Sequence, residues 1–332
     1  LPAVLSRIRF ETPWLGVAPV LAIVLALLAG CGGSSSGDAS SSGATSTAEG
    51  GEAAFKATAL NVHKLPLGDD MYVTGGPKRG YVFSCITDFN GGGAFAQGPW
   101  IDAEAGTWDL TEKIYVQGRI EWESKFSEHV SGAERDLEGN GLPPQPSGQF
   151  PVSESDPAYE YDRNPNSISS YTLQAALRAE PEEAKEPSCV GGTIGVMKSG
   201  VPLFSAFDAG GRDAVATEIQ DSCDAHPERT GQYHYHGISS CLAKSGSEAR
   251  SELLGWALDG FGIYVERDSE GTMLSSADLD TCHGRTSTVE WDGEQVRMYH
   301  YVATLDFPYM VACYRGTPID EATGLALGAP GA

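Results

Sequence analysis

The chain has 332 residues and a formal net charge of −23, from 45 acidic against 22 basic side chains. That balance leaves no basic field to displace phosphate counterions, which argues against nucleic acid as a partner. A chain of this length can bury a substantial core once any targeting segment is set aside.

The N-terminus carries such a segment. Arg7 and Arg9 precede an apolar stretch from Trp14 to Leu28, interrupted by Gly16 and Pro19 and closed by the small residues Ala29 and Gly30. A basic head, an apolar run and a small-residue exit describe a secretory signal. The run is too short and too broken for a membrane span. The string Leu28-Ala29-Gly30-Cys31 resembles the bacterial lipobox, in which the cysteine is acylated and becomes the first mature residue. This resemblance implies a signal peptide over 1–30, lipidation at Cys31, and contact with the membrane through that lipid alone. Gly32 stands where inner-membrane lipoproteins carry aspartate, so an outer-membrane or surface location is expected. Residues 31–53 read as a tether, because the Gly/Ser/Thr/Ala-rich tract over 32–52 cannot bury enough apolar surface to offset chain entropy.

The folded region begins with a β-rich segment over 54–99, where Tyr72-Val73 and Tyr81-Val82-Phe83 are separated by Gly/Pro turns. Lys113–Val116 and Ile120–Glu123 also read as strands. Residues 139–170, rich in Pro, Gly, Asn and Ser, read as extended loop. Leu173–Ala179 reads as one short helix stopped before Pro181. Short strands follow at Gly195–Met197, Leu203-Phe204, Tyr233–His236, Ile263–Val265 and Tyr299–Thr304. No internal repeat of fixed period stands out. The fold class expected is mainly β: a disulfide-stapled, sandwich-like single domain with long loops.

Of seven cysteines, assigning Cys31 to the lipid leaves Cys85, Cys189, Cys223, Cys241, Cys282 and Cys313. An even number in an exported chain implies three bridges, though many pairings are open. Chain proximity favours Cys223–Cys241, Cys282–Cys313 and Cys85–Cys189. No CxxC pair supports a thiolate metal site.

The most informative string is Gly231-Gln232-Tyr233-His234-Tyr235-His236-Gly237. On a strand, His234 and His236 share one face and Tyr233 and Tyr235 the other. Two imidazoles so placed are apt ligands for a transition metal, copper or zinc. A related string, Met298-Tyr299-His300-Tyr301-Val302, offers His300, and Cys282-His283-Gly284 offers His283, as further ligands. His226, beside Pro227, reads as a turn residue, and His63 and His129 carry no assignment. Asp259, before a Gly-Phe-Gly turn, reads as a cap on backbone amides, with a supporting role beside a metal-bound histidine as the alternative.

The strings YHYHG, GWALDGFGIY, Cys282-His283-Gly284 and FPYMVACYRG, in this order, resemble the YHYH-domain proteins, an extracellular family. Asn140–Pro143, Gly148–Pro151 and Asn164–Asn166 resemble the same family, so the likeness spans 100–316 and leaves a tail over 317–332. One departure stands out: Val302 occupies the position of a second histidine in the later string. Three functional readings follow. The favoured one is a lipid-anchored envelope or surface protein that binds a transition metal through histidines, with its protein partner unidentified. The second is a metal-dependent hydrolase or oxidase, against which stands the lack of an acid beside the His pair. The third is a structural or adhesive domain without metal.

Replacing Cys31 with Ser should release the protein from the membrane fraction. Unchanged retention and unchanged mobility of the mature chain would exclude lipidation there.

Overall fold

Brief runs of aromatic and β-branched residues, broken by Gly, Pro and Asp, favour many short strands over helices. The computed structural model describes residues 55–243, 249–319 and 325–327, and these are mainly β. Among the described residues there is one α-helix, Ala214–Thr217 (α1), whose N-cap Asp213 accepts from the Ala216 amide. The expected signal segment, Cys31 and the tether lie outside the described residues.

An eight-stranded sheet forms the centre. Its members are Thr193–Met197 (β1), Pro202–Phe204 (β2), Ala225–Pro227 (β3), Tyr233–Tyr235 (β4), Ser251–Ala257 (β5), Gly262–Glu266 (β6), Gly284–Trp291 (β7) and Glu294–Val302 (β8). They lie in the order β3-β4-β2-β1-β5-β6-β8-β7. All neighbours are antiparallel except β2 with β4 and β6 with β8. Every residue of β1, β3, β4 and β6 is buried, so these strands are covered on both faces.

A four-stranded sheet lies beside it, ordered Leu325–Leu327, Leu173–Arg178, Glu134–Gly139 and Phe126–Ser131. The helix expected over Leu173–Ala179 is therefore a strand. Its residues alternate buried and exposed, with Leu173, Ala175 and Leu177 inward and Gln174, Ala176 and Arg178 outward. Helix propensity in this Ala/Leu-rich stretch yields to pairing with Glu134–Gly139. Lys113–Val116 and Ile120–Glu123 are not strands either; they contribute single bridges, Val116 to Asp221 and Ile120 to Ser147. Arg135 joins the two sheets. Its guanidinium lies 4.6 Å from the Trp291 ring and 5.3 Å from that of Trp256, and it pairs with Glu128 and with Asp292.

The disulfides are Cys85–Cys189, Cys223–Cys241 and Cys282–Cys313. Buried carboxylates do the remaining stitching, each holding a tyrosine hydroxyl and backbone amides. Asp221 accepts from Tyr233 Oη (2.7 Å) and from the amides of Gly148 and Cys223 (both 2.8 Å). Asp213 accepts from Tyr309 Oη and the Gly68 amide, fastening the N-terminal segment to the sheet. Asp259 accepts from Tyr301 Oη (2.6 Å), Gly316 N (2.8 Å) and Phe261 N (3.3 Å), which is the amide-capping role its turn position implies. Burial pushes all three carboxyls up to about 6, against the pull of these donors.

Tyr301→Phe removes the shortest of the Asp259 bonds from a site closed to water. Hydrogen bonds to charged groups contribute roughly 1.5–3 kcal/mol, so denaturant unfolding should show a loss of that order. A loss under about 0.5 kcal/mol would mean that the hydroxyl is dispensable.

Candidate metal centre

The β3–β4 hairpin lies at one edge of the central sheet, and its register sets His226 directly opposite His234. Directly opposed residues of an antiparallel pair stand on one face, so the period of two adds His236 to the same side. Three imidazoles thus gather on one face of a two-stranded ribbon. Their ligand atoms all lie within 4.8 Å of one another, and all three residues are buried. Phe204 of β2 stacks on His234 at 4.0 Å between centroids and meets His236 edge-on, closing one side.

A fourth donor comes from outside the hairpin. Glu218 follows α1 as its C-cap and is also buried. Its Oε2 is 3.3 Å from His226 Nε2 and 3.3 Å from His236 Nε2. The alignment is poor: neither Glu218 Oε2 nor either ring nitrogen of His226 has a hydrogen-bond partner. Buried polar atoms left this way are costly, about 1–3 kcal/mol each.

The ring orientations sharpen the point. His234 Nδ1 faces the Gln232 carbonyl at 3.0 Å, and His236 Nδ1 faces the Ser205 carbonyl at 2.6 Å. A carbonyl only accepts, so both Nδ1 atoms carry the proton and both Nε2 atoms present lone pairs. Those two Nε2 atoms are 3.0 Å apart. Two lone pairs at that separation repel unless a cation lies between them. Protonation is a poor remedy. Burial holds His234 well below the usual histidine range, helped by His226 and His236, and burial brings His236 down to about 4 despite Glu218. A metal ion suits the spacing, because tetrahedral ligands 2.0–2.1 Å from zinc lie about 3.3 Å apart.

His226 behaves differently. Burial disfavours its charge, but Glu218 and Asp162 outweigh that and hold its pKa above the usual value. Glu218 is desolvated too, yet His226, His236 and Lys113 bring it down to about 2. Of the three histidines, His226 is thus the one whose surroundings favour the proton, with the Glu218 carboxylate beside it.

The structure does not bring the other expected ligands to this point. His283 donates from Nδ1 to the Met310 carbonyl (2.8 Å), and its Nε2 accepts from Ser276 Oγ (2.9 Å) or Thr304 Oγ1 (3.2 Å). It is a satisfied core residue. His300 lies across the sheet, with Nε2 3.3 Å from Glu266 Oε2 and Nδ1 on the Met298 carbonyl. Asp259 serves Tyr301 and the amides named above, beside none of the three clustered histidines. His226, expected in a turn, is instead in strand β3 and completes the cluster. Its signal was the Cys223-to-His226 approach to the Tyr233–His236 string, readable only once the hairpin register is known. Glu218 carried no local signal, since it reaches the site from a different segment.

Residues 174–275 match the family model described as YHYH protein. The matched stretch holds Glu218, His226, His234 and His236 and ends before His283 and His300. No curated protein and no solved structure matches the chain. No helix among the described residues is long and apolar enough to cross a membrane.

Since His234 and His236 stay neutral to well below their usual range, only His226 has a proton to lose to an incoming ion near neutrality. Affinity should fall by at most about tenfold per pH unit between pH ~6.5 and ~5. Calorimetry in buffers of different ionisation enthalpy should find no more than about one proton released per ion. Release of two or more would mean that the pair is protonated in the free protein.

Proposed function

We propose that this is an exported, lipid-anchored envelope protein whose YHYH region holds one divalent first-row metal ion, zinc fitting best, on His226, His234, His236 and Glu218. The observation that carries this reading is the pair of Nε2 lone pairs 3.0 Å apart, with both Nδ1–H groups committed to carbonyls. Three imidazoles with ligand atoms within 4.8 Å of one another, and a carboxylate oxygen 3.3 Å from two of them, suit zinc, while the absence of a sulfur donor among them disfavours copper(I). Four protein donors fill a tetrahedral shell, the arrangement of structural rather than catalytic sites. The ion would then fix the β3–β4 edge and α1 to each other. Three disulfides fit an oxidising location, and acylation at Cys31 would tether the domain to the envelope.

The full chain, purified from an oxidising compartment and freed of excess ions, should contain about one equivalent of metal by elemental analysis. His234→Ala with His236→Ala should remove it, and Glu218→Gln should weaken it. At a free zinc concentration 100-fold above Kd, the wild type should gain roughly 2.7 kcal/mol of stability that the double variant lacks. Wild-type protein that stays metal-free after exposure to zinc and copper would refute the reading. A stability loss on substitution that is the same with and without metal would assign the histidines to core packing instead.

A further inference from the structure

The central sheet is two copies of one unit. Val196–Phe204, VMKSGVPLF, corresponds to Trp256–Tyr264, WALDGFGIY. Each forms a hairpin that turns on a glycine of positive φ, Gly200 at 76° and Gly260 at 91°, and each first strand carries a bulge just before it, at Thr193/Gly195 and at Leu253/Gly255. Asp221-Ser222-Cys223-Asp224-Ala225-His226 corresponds to Asp280-Thr281-Cys282-His283-Gly284-Arg285. In both, the aspartate accepts from the cysteine amide, at 2.8 and 2.9 Å, and the residue after the disulfide cysteine has positive φ, Asp224 at 61° and His283 at 70°. Tyr233-His234-Tyr235-His236 corresponds to Tyr299-His300-Tyr301-Val302. Leu203 pairs in parallel with Tyr235 as Ile263 does with Tyr301. The two units meet at β1 and β5, the middle of the sheet.

The correspondence maps the metal centre onto a second place. His226 opposes His234, and Arg285 opposes His300. The ring of His300 is held as His234 is, Nδ1 on the carbonyl two residues back, at 3.1 Å against 3.0 Å. Phe204 packs on His234 and Tyr264 on His300. Four positions differ: Arg285 replaces His226, Val302 replaces His236, Ala277 stands where the first unit has Glu218, and Glu266 stands where it has Ala206. The Glu266 carboxylate lies 3.3 Å from His300 Nε2 and 3.6 Å from Arg285 Nε, and it accepts from Ser287 Oγ at 2.8 Å. Glu266 Oε2, like Glu218 Oε2, has no hydrogen-bond partner, but here the guanidinium of Arg285 stands beside the carboxylate in the position that His226 holds in the first unit.

We propose that the His300, Arg285 and Glu266 cluster is the duplicated counterpart of the metal centre, in which the guanidinium of Arg285 supplies the positive charge that an ion supplies in the first unit. The proposal rests on the metal reading of the first centre. A fixed guanidinium cannot lose its charge and needs no supply of ion, so the second unit is held together permanently and the first conditionally.

The test uses the full chain and elemental analysis after equilibration with zinc, with circular dichroism to verify folding. Arg285→His with Val302→His rebuilds the missing imidazoles beside His300 and Glu266, and the zinc content should rise from one equivalent to two. A folded double variant that still holds one equivalent overturns the proposal. The reciprocal change, His226→Arg, should bring zinc to zero and leave a melting temperature that chelator does not move; retention of the full equivalent overturns it as well. If the wild type binds no zinc, the metal reading fails by itself. The counterpart relation is then upheld if Arg285→His with Val302→His gains an ion, and overturned if it does not.

Discussion

A strand buried on both faces must find a partner for every polar tip it carries. Tyr233, His234 and Tyr235 form such a strand, with His236 one residue beyond. On one face the hydroxyls turn to Asp221 and Ser199. On the other, the two Nδ1–H groups find carbonyls, and only the Nε2 lone pairs remain. The surroundings of this strand follow from that requirement. Asp221 lies on the segment entering β3, and Ser205 closes β2. Glu218 is delivered by a helix of a single turn, whose N-cap Asp213 also anchors Tyr309 and the N-terminal segment. The same short stretch of chain, 213–221, thus serves the tyrosine face, the histidine face and the attachment of the leading segment.

The parallel pairings β2–β4 and β6–β8 are part of the same arrangement. A parallel neighbour requires a crossover, and each crossover here passes through an aspartate and a disulfide cysteine just before its return hairpin. The bridge and the carboxylate hold the chain where it turns back. In the second unit the return hairpin is much longer, with strands of eight and nine residues against three and three. The extra length carries Trp291 and Asp292 to Arg135 and so to the second sheet. The two units have therefore diverged in what their outer hairpins do, one gathering three imidazoles and the other making an interface.

Much of this was legible in the sequence, and the failures have physical reasons. Mainly-β character showed in aromatic and β-branched runs between turn residues. The shared face of His234 and His236 followed from strand period alone. Leu173–Arg178 misled because Leu, Ala and Arg favour helix locally, although the burial that decides it has period two. His226 and Glu218 escaped because ligands converge across a register and across segments, which a linear pattern does not display. The duplication was hidden by unequal spacing: twelve residues separate Asp221 from Tyr233 and nineteen separate Asp280 from Tyr299. A fixed-period search fails where loop and strand lengths vary, even though the turn glycines, cysteines and tyrosines correspond one for one.

The Cys223–Cys241 bridge closes a ring across a separation of only 18 residues, and His226, His234 and His236 all lie inside it. Once oxidised, the chain keeps its three imidazoles near one another even when the sheet has come apart. Such a ring is a flexible chelate in its own right, short of the carboxylate that the folded chain adds from Glu218. If the centre holds an ion, the oxidised ring lets the open chain bind it before the sheet assembles and carry it into the fold. Such binding would narrow the gap between folded and unfolded affinity, so an ion held there would guide the order of assembly more than it would deepen the final well.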